Sequence, residues 1–339
     1  MRSLRTLFAS SRFRAGVCAA AALMLFGAGY FIFTLFWHHT TLPQGGVFDP
    51  ANSLRKESAF WQQRIKEIGP APAYAEFLKN APAQALSTHE QAHAFGEALY
   101  KDEGLKGLQY CDSSFAYGCY HSFLGLAVNE EGPSVLPQFA EACKQKFGKA
   151  NLPCEHGIGH GILVYTNYDL LKALDLCKTI SDRKTGGCSS GVFMEYNFHT
   201  MDENGDGSFV RAKTDDLFAP CSSLPLEYRP ACYSEQPQWW ESVLNEDFKE
   251  MGVLCGTLSG DQDSYHACYY GIGNYIAAHV ENDVSKILPL CALMPDASTV
   301  AMCREGASWL VGFDPTHQDA LKLCDMEEPF KSDCRRMLQ

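Results

Sequence analysis

Residues 170–197 read LLKALDLCKTISDRKTGGCSSGVFMEYN. Leu170, Ala173, Leu174 and Cys177 fall at i, i+3, i+4 and i+7, one apolar face of a helix that ends on a cysteine. A joint containing Gly186 and Gly187 follows, and Cys188, Val192 and Tyr196 then open a second helical face. The stretch is thus two helices meeting at two cysteines. One disulfide between Cys177 and Cys188 would clamp the joint.

The same arrangement recurs along the chain. Fourteen cysteines fall into seven close pairs: Cys111/Cys119, Cys143/Cys154, Cys177/Cys188, Cys221/Cys232, Cys255/Cys268, Cys291/Cys303 and Cys324/Cys334. Second members follow one another at intervals of 35, 34, 44, 36, 35 and 31 residues. A period near 35 is that of a two-helix repeat. In each repeat helix A is expected to begin at the second cysteine and helix B to end at the next first cysteine. Pairing by proximity is the scheme that treats every repeat alike, and each staple would contribute roughly 3 kcal/mol by constraining the unfolded chain. Structural zinc sites use two to four residues between cysteines, so the spacing excludes them.

LLKALDLC…GGCSSGVFMEY resembles the cysteine-rich, Sel-like branch of the tetratricopeptide-like repeat proteins. There too a helix ending in Lys-Ala…Cys precedes a short loop, a second Cys and a Gly-bearing helix. The likeness covers about 105–339, with longer and more variable cysteine spacing here. It implies an α-solenoid and a binding role.

The chain has 339 residues, 46% apolar, with a net charge of −12. Residues 1–14 carry Arg2, Arg5, Arg12 and Arg14 and no acid, so the rest is more acidic still. That charge repels phosphate, and no nucleic-acid partner is expected. Residues 15–37 hold no charged residue and are long enough as a helix, about 34 Å, to cross a bilayer. The arginines place the N-terminus in the cytoplasm. The expectation is an all-α protein: a basic cytoplasmic tail (1–14), a single N-terminal transmembrane helix as signal-anchor (15–37), a linker (38–52), a helical cap (53–86) and a disulfide-stapled α/α-hairpin repeat solenoid (87–339). Its C-terminal domain would be periplasmic or extracellular, where disulfides persist.

Placed on the repeat, the histidines fall in register. His121 and His156 lie two residues after Cys119 and Cys154, and His89 sits 32 residues before His121. His93 and His160 are one turn further on, so His89/His93 and His156/His160 are i, i+4 pairs that can face one ion. His121 lies between them. Imidazole suits Zn, Cu and Fe. His89-Glu90-x-x-His93 also matches the H-E-x-x-H pattern, which makes Glu90 the candidate catalytic base. Glu195 and His199 form a further i, i+4 pair at shifted slots, as outer ligand candidates. The long 44-residue interval contains DENGDG, with Asp202, Asn204 and Asp206 spaced like the oxygens of a calcium loop over 202–207, although Lys213 stands where the bidentate Glu belongs. Gly157, Gly191, Gly271 and Gly306, each three residues after a second cysteine, read as close-packing positions. Two functions compete on these residues. One is a metal-binding solenoid, with or without metalloenzyme activity of the hydrolase or oxidoreductase class. The other is a non-catalytic scaffold whose concave face holds a peptide or envelope protein.

Overall fold

A computed structural model describes residues 50–80, 86–112, 114–148, 151–180, 185–199, 211, 213–312 and 319–337; the side chains of 50–55, 86–90, 116, 117 and 337 fall outside that description. The described residues belong to one compact unit, Pro50–Gln339. Among them are fifteen α-helices, a few 3₁₀ turns and no strand. No helix among them is long and apolar enough to cross a membrane. The expected anchor, 15–37, and the calcium-like loop, 202–207, lie outside the described residues.

Seven helices form a continuous row: α3 (Leu86–Glu103), α4 (Ser114–Glu131), α6 (Leu152–Tyr165), α8 (Gly187–Phe198), α9 (Arg229–Leu244), α11 (Gln262–His279) and α13 (Ala297–Gly312). Each packs on the next, and α1 (Pro50–Ile68) packs on α3 at the N-terminal end. Shorter helices alternate with them: α2 (Pro70–Asn80), α5 (Leu136–Phe147), α7 (Leu170–Cys177), α10 (Phe248–Gly256), α12 (Val284–Cys291) and α14 (Ala320–Leu323), with α15 (Phe330–Met337) packed on α13. This is a cysteine-rich helical repeat. All seven expected cysteine pairs are bonded, with Cα atoms 5.5–5.7 Å apart.

Two local expectations are corrected. The long helix starts before the second cysteine rather than at it: α11 begins at Gln262 for Cys268, and α13 at Ala297 for Cys303. The sulfur therefore sits within the first two turns and points into the core. Among the described residues between α8 and Cys221 no α-helix occurs, and Cys221 opens a 3₁₀ turn over Cys221–Ser223.

Glycine sets the spacing of the row. A Cβ at Gly191 would lie 1.9 Å from the carbonyl oxygen of His156, and one at Gly306 1.9 Å from that of Tyr270. Backbone touches backbone at these slots, which outweighs the roughly 1 kcal/mol that glycine costs inside a helix. The residue touched is each time the one two positions after the preceding repeat's second cysteine. The connections repeat as well. Asn167/Tyr168, Asn245/Glu246 and Glu281/Asn282 all take left-handed backbone, φ 51° to 62°. An aspartate follows each, Asp169, Asp247 or Asp283, and its carboxylate accepts a backbone N–H of the next helix.

One repeat departs from this. At the glycine slot of α9 stands Glu235, and α8 and α9 meet over much less of their length than other neighbours in the row. Arg211, from the 44-residue interval, lies at this seam, bonded to Asn197 of α8 and Trp239 of α9. Trp239 and Trp240 beside it are fully buried core residues.

Candidate functional site

The fixed abutment of α3, α4, α6 and α8 carries the histidine slots with it. The His93 ring centroid lies 5.5 Å from that of His121. His121 lies 5.4 Å from His156 and 5.4 Å from His160, which are 4.9 Å from each other. Four imidazoles from three successive helices therefore meet ring to ring. His121, between the two pairs, touches members of both. Two imidazoles holding one ion at a metal–nitrogen distance of about 2.1 Å, at tetrahedral angles, have centroids about 5 Å apart. The observed separations fall near that value. His89 and Glu90 lie on α3, one turn before His93 and its neighbour, with side chains outside the description.

The surroundings orient the rings. His160 is 1% exposed, and its Nδ1 lies 2.9 Å from Oε2 of Glu195, which is wholly buried. The other carboxylate oxygen of Glu195 accepts the Tyr168 hydroxyl at 3.0 Å. The Tyr168 ring lies tilted against that of His199, centroids 4.1 Å apart, and His199 ends α8 in left-handed backbone. So Glu195 and His199, expected as outer ligands, form with Tyr168 a chain that leads to His160 and fixes one of its nitrogens. Carboxylate-to-imidazole contacts of this kind set ring orientation and tautomer at metal centres. His156 Nε2 is 3.4 Å from the Met194 sulfur, the residue in the histidine slot of α8. Burial of His121 and His160, 7% and 1% exposed, takes the cluster's centre out of bulk water.

Sequence reasoning missed one group. Among the described residues, Glu241, Glu246 and His279 are the trio whose donor atoms all lie within 4.8 Å of one another. The described histidine nitrogens of α3, α4 and α6 form no trio that tight. The trio is at the surface, and His279 Nε2 lies 3.7 Å from Glu246. The repeat itself carried the signal: His279 follows Cys268 by eleven residues, as His199 follows Cys188, and Glu246 occupies the slot of Tyr168.

A second polar stretch lies further along the row. Glu235 is buried, and its carboxyl is pushed up to about 7 by that burial, against hydrogen bonds from Ser190, Ser234 and Gln238 that pull it down. His266 lies 3.1 Å from Glu305, whose hydrogen bond raises the imidazole above its ordinary range despite partial burial. Comparison with known protein families, with curated proteins and with solved structures finds no match.

Proposed function

We propose that the protein is a membrane-anchored, extracytoplasmic helical repeat that holds a transition-metal ion, Zn, Fe or Cu, in its histidine cluster. The observation that carries this reading is the run of ring contacts from His93 to His121 and among His121, His156 and His160, with centroids 4.9–5.5 Å apart, from which modest ring rotations would bring nitrogens to one ion. His89 belongs to the same slot and completes the set. Glu195 holds Nδ1 of His160, which assigns the ligating role to Nε2. Bound there, the ion would supply Lewis-acid or redox chemistry. Glu90, adjacent to His89 in sequence, is assigned as the group that takes up a proton from water or substrate. Hydrolase and oxidoreductase remain the two enzyme classes this donor set serves.

The compartment reading rests on the seven disulfides, which an oxidising environment sustains. The membrane reading rests on residues 15–37 in sequence. The calcium-like loop at 202–207 is assigned as a secondary ion site on its residue pattern alone.

Metal analysis of the detergent-purified full chain is the test. Stoichiometric Zn, Fe or Cu is expected, lost in the double variant His156→Ala/His160→Ala while the helical circular dichroism persists. A folded wild-type chain that takes up no transition metal on reconstitution overturns the metal reading and leaves the peptide-binding scaffold.

A further inference from the structure

Arg211 sits in the seam between α8 and α9. Its backbone N–H donates to the Asn197 carbonyl at 3.0 Å, and its own carbonyl accepts from Trp239 Nε1 at 3.1 Å. The guanidinium carbon lies 3.9 Å from the centroid of the Trp239 ring and 5.4 Å from that of Tyr196. The side chain is thus anchored at both ends of its backbone and held against two aromatic rings.

Arg211 is only 8% exposed, yet its Nε and Nη2 are buried without a hydrogen-bond partner. No ion pair to Arg211 occurs among the described residues. The aromatic faces attract a cation through their quadrupole, but they do not accept its in-plane N–H bonds. Burial pushes the guanidinium down to about 10, and Tyr196, by charge and by a side-chain hydrogen bond, pulls it back up. A guanidinium stays charged at physiological pH, so this is a buried cation with its Nε/Nη2 edge unused.

The two unpartnered nitrogens are not any two of the three. Nε and Nη2 share one edge of the guanidinium and send out parallel N–H bonds, the fork that takes two oxygens of a planar acceptor. We propose that Arg211, cradled by Trp239 and Tyr196, is an oxyanion-binding site that takes a carboxylate or phosphoryl group bidentately on its Nε/Nη2 edge. The site stands whether or not the histidines hold metal. It lies on the same end of α8 as Glu195, so an anion bound there is anchored on the helix that orients His160.

Thermal unfolding of the detergent-solubilised full chain, followed by tryptophan fluorescence, tests the assignment. Succinate and inorganic phosphate are titrated separately, at constant ionic strength balanced with chloride. A saturable rise of several degrees in the midpoint with at least one of them is expected. It should be absent in Arg211→Met and sharply reduced in Arg211→Lys, which keeps the charge and loses the fork. The anion giving the rise identifies the ligand class. In chloride alone Arg211→Met should melt at or above the wild-type temperature, because it removes an unpaired buried charge. No shift with either anion, or an equal shift in Arg211→Met, overturns the proposal. So does a collapse of Arg211→Met in chloride, which would make the guanidinium a structural strut.

Discussion

Glu235 shows how a single side chain marks a change of plan within a repeat. The equivalent positions in α6, α8, α11 and α13 are Gly157, Gly191, Gly271 and Gly306, and a carboxyl cannot occupy that slot unless the helices part. Its burial raises it from the ordinary 4.5 to about 7, so the fold accommodates the protonated form. Between those values the folded chain holds a proton that the unfolded chain has released. Stability from this group is therefore full below about 4.5 and is lost as pH rises through about 7, by on the order of 3 kcal/mol. Denaturant unfolding across pH 4–8 should show this fall, and Glu235→Gln should flatten it; an unchanged slope would contradict the burial argument. At this scale the sequence disclosed the histidines, since a period of 35 fixes their slots. It did not disclose Tyr168 and Glu195 as partners of His160, or Arg211 against Trp239. Those contacts reach from residues outside the helices, Tyr168 in a turn and Arg211 in a connecting segment, which no helical periodicity encodes.

Within the elements, the close approach at Gly191 positions the site as much as the histidines do. Adding one methyl there drives a carbon into the carbonyl of His156, and the helix pair must separate. Gly191→Ala is expected to cost about 1–3 kcal/mol in denaturant unfolding, despite alanine's better helix propensity. It should also weaken metal retention more than Gly273→Ala, which strains a seam far from the imidazoles. Equal loss of metal in both variants would show that the α6–α8 spacing does not govern the cluster. The helices were legible in the text because apolar positions recur at i, i+3 and i+4. Their first turns were not. Capping aspartates such as Asp261, which accepts from Ser264, start the long helices well upstream of the cysteine.

At the level of the whole molecule, a row in which each helix touches its neighbours gains stability as a sum of local contacts. The pairing of the cysteines was readable because every staple is local and repeats alike. The distance between α8 and α9 was not, because Glu235 stands where a glycine would have set it. Locality has a further consequence for the chain as a covalent object. The bonded partners are only 8 to 13 residues apart, and none ties one hairpin to a distant one. A specific protease site inserted between Lys184 and Thr185, inside the loop closed by Cys177 and Cys188, should yield two fragments that migrate together on a denaturing gel until thiol is added. The same site inserted after Lys213, between staples, should give fragments that part at once in denaturant without any reductant. Comigration of the second pair would reveal a crosslink between distant segments. Seven bonds thus make the molecule hard to unravel turn by turn, while leaving it divisible by one cut at any junction they do not span.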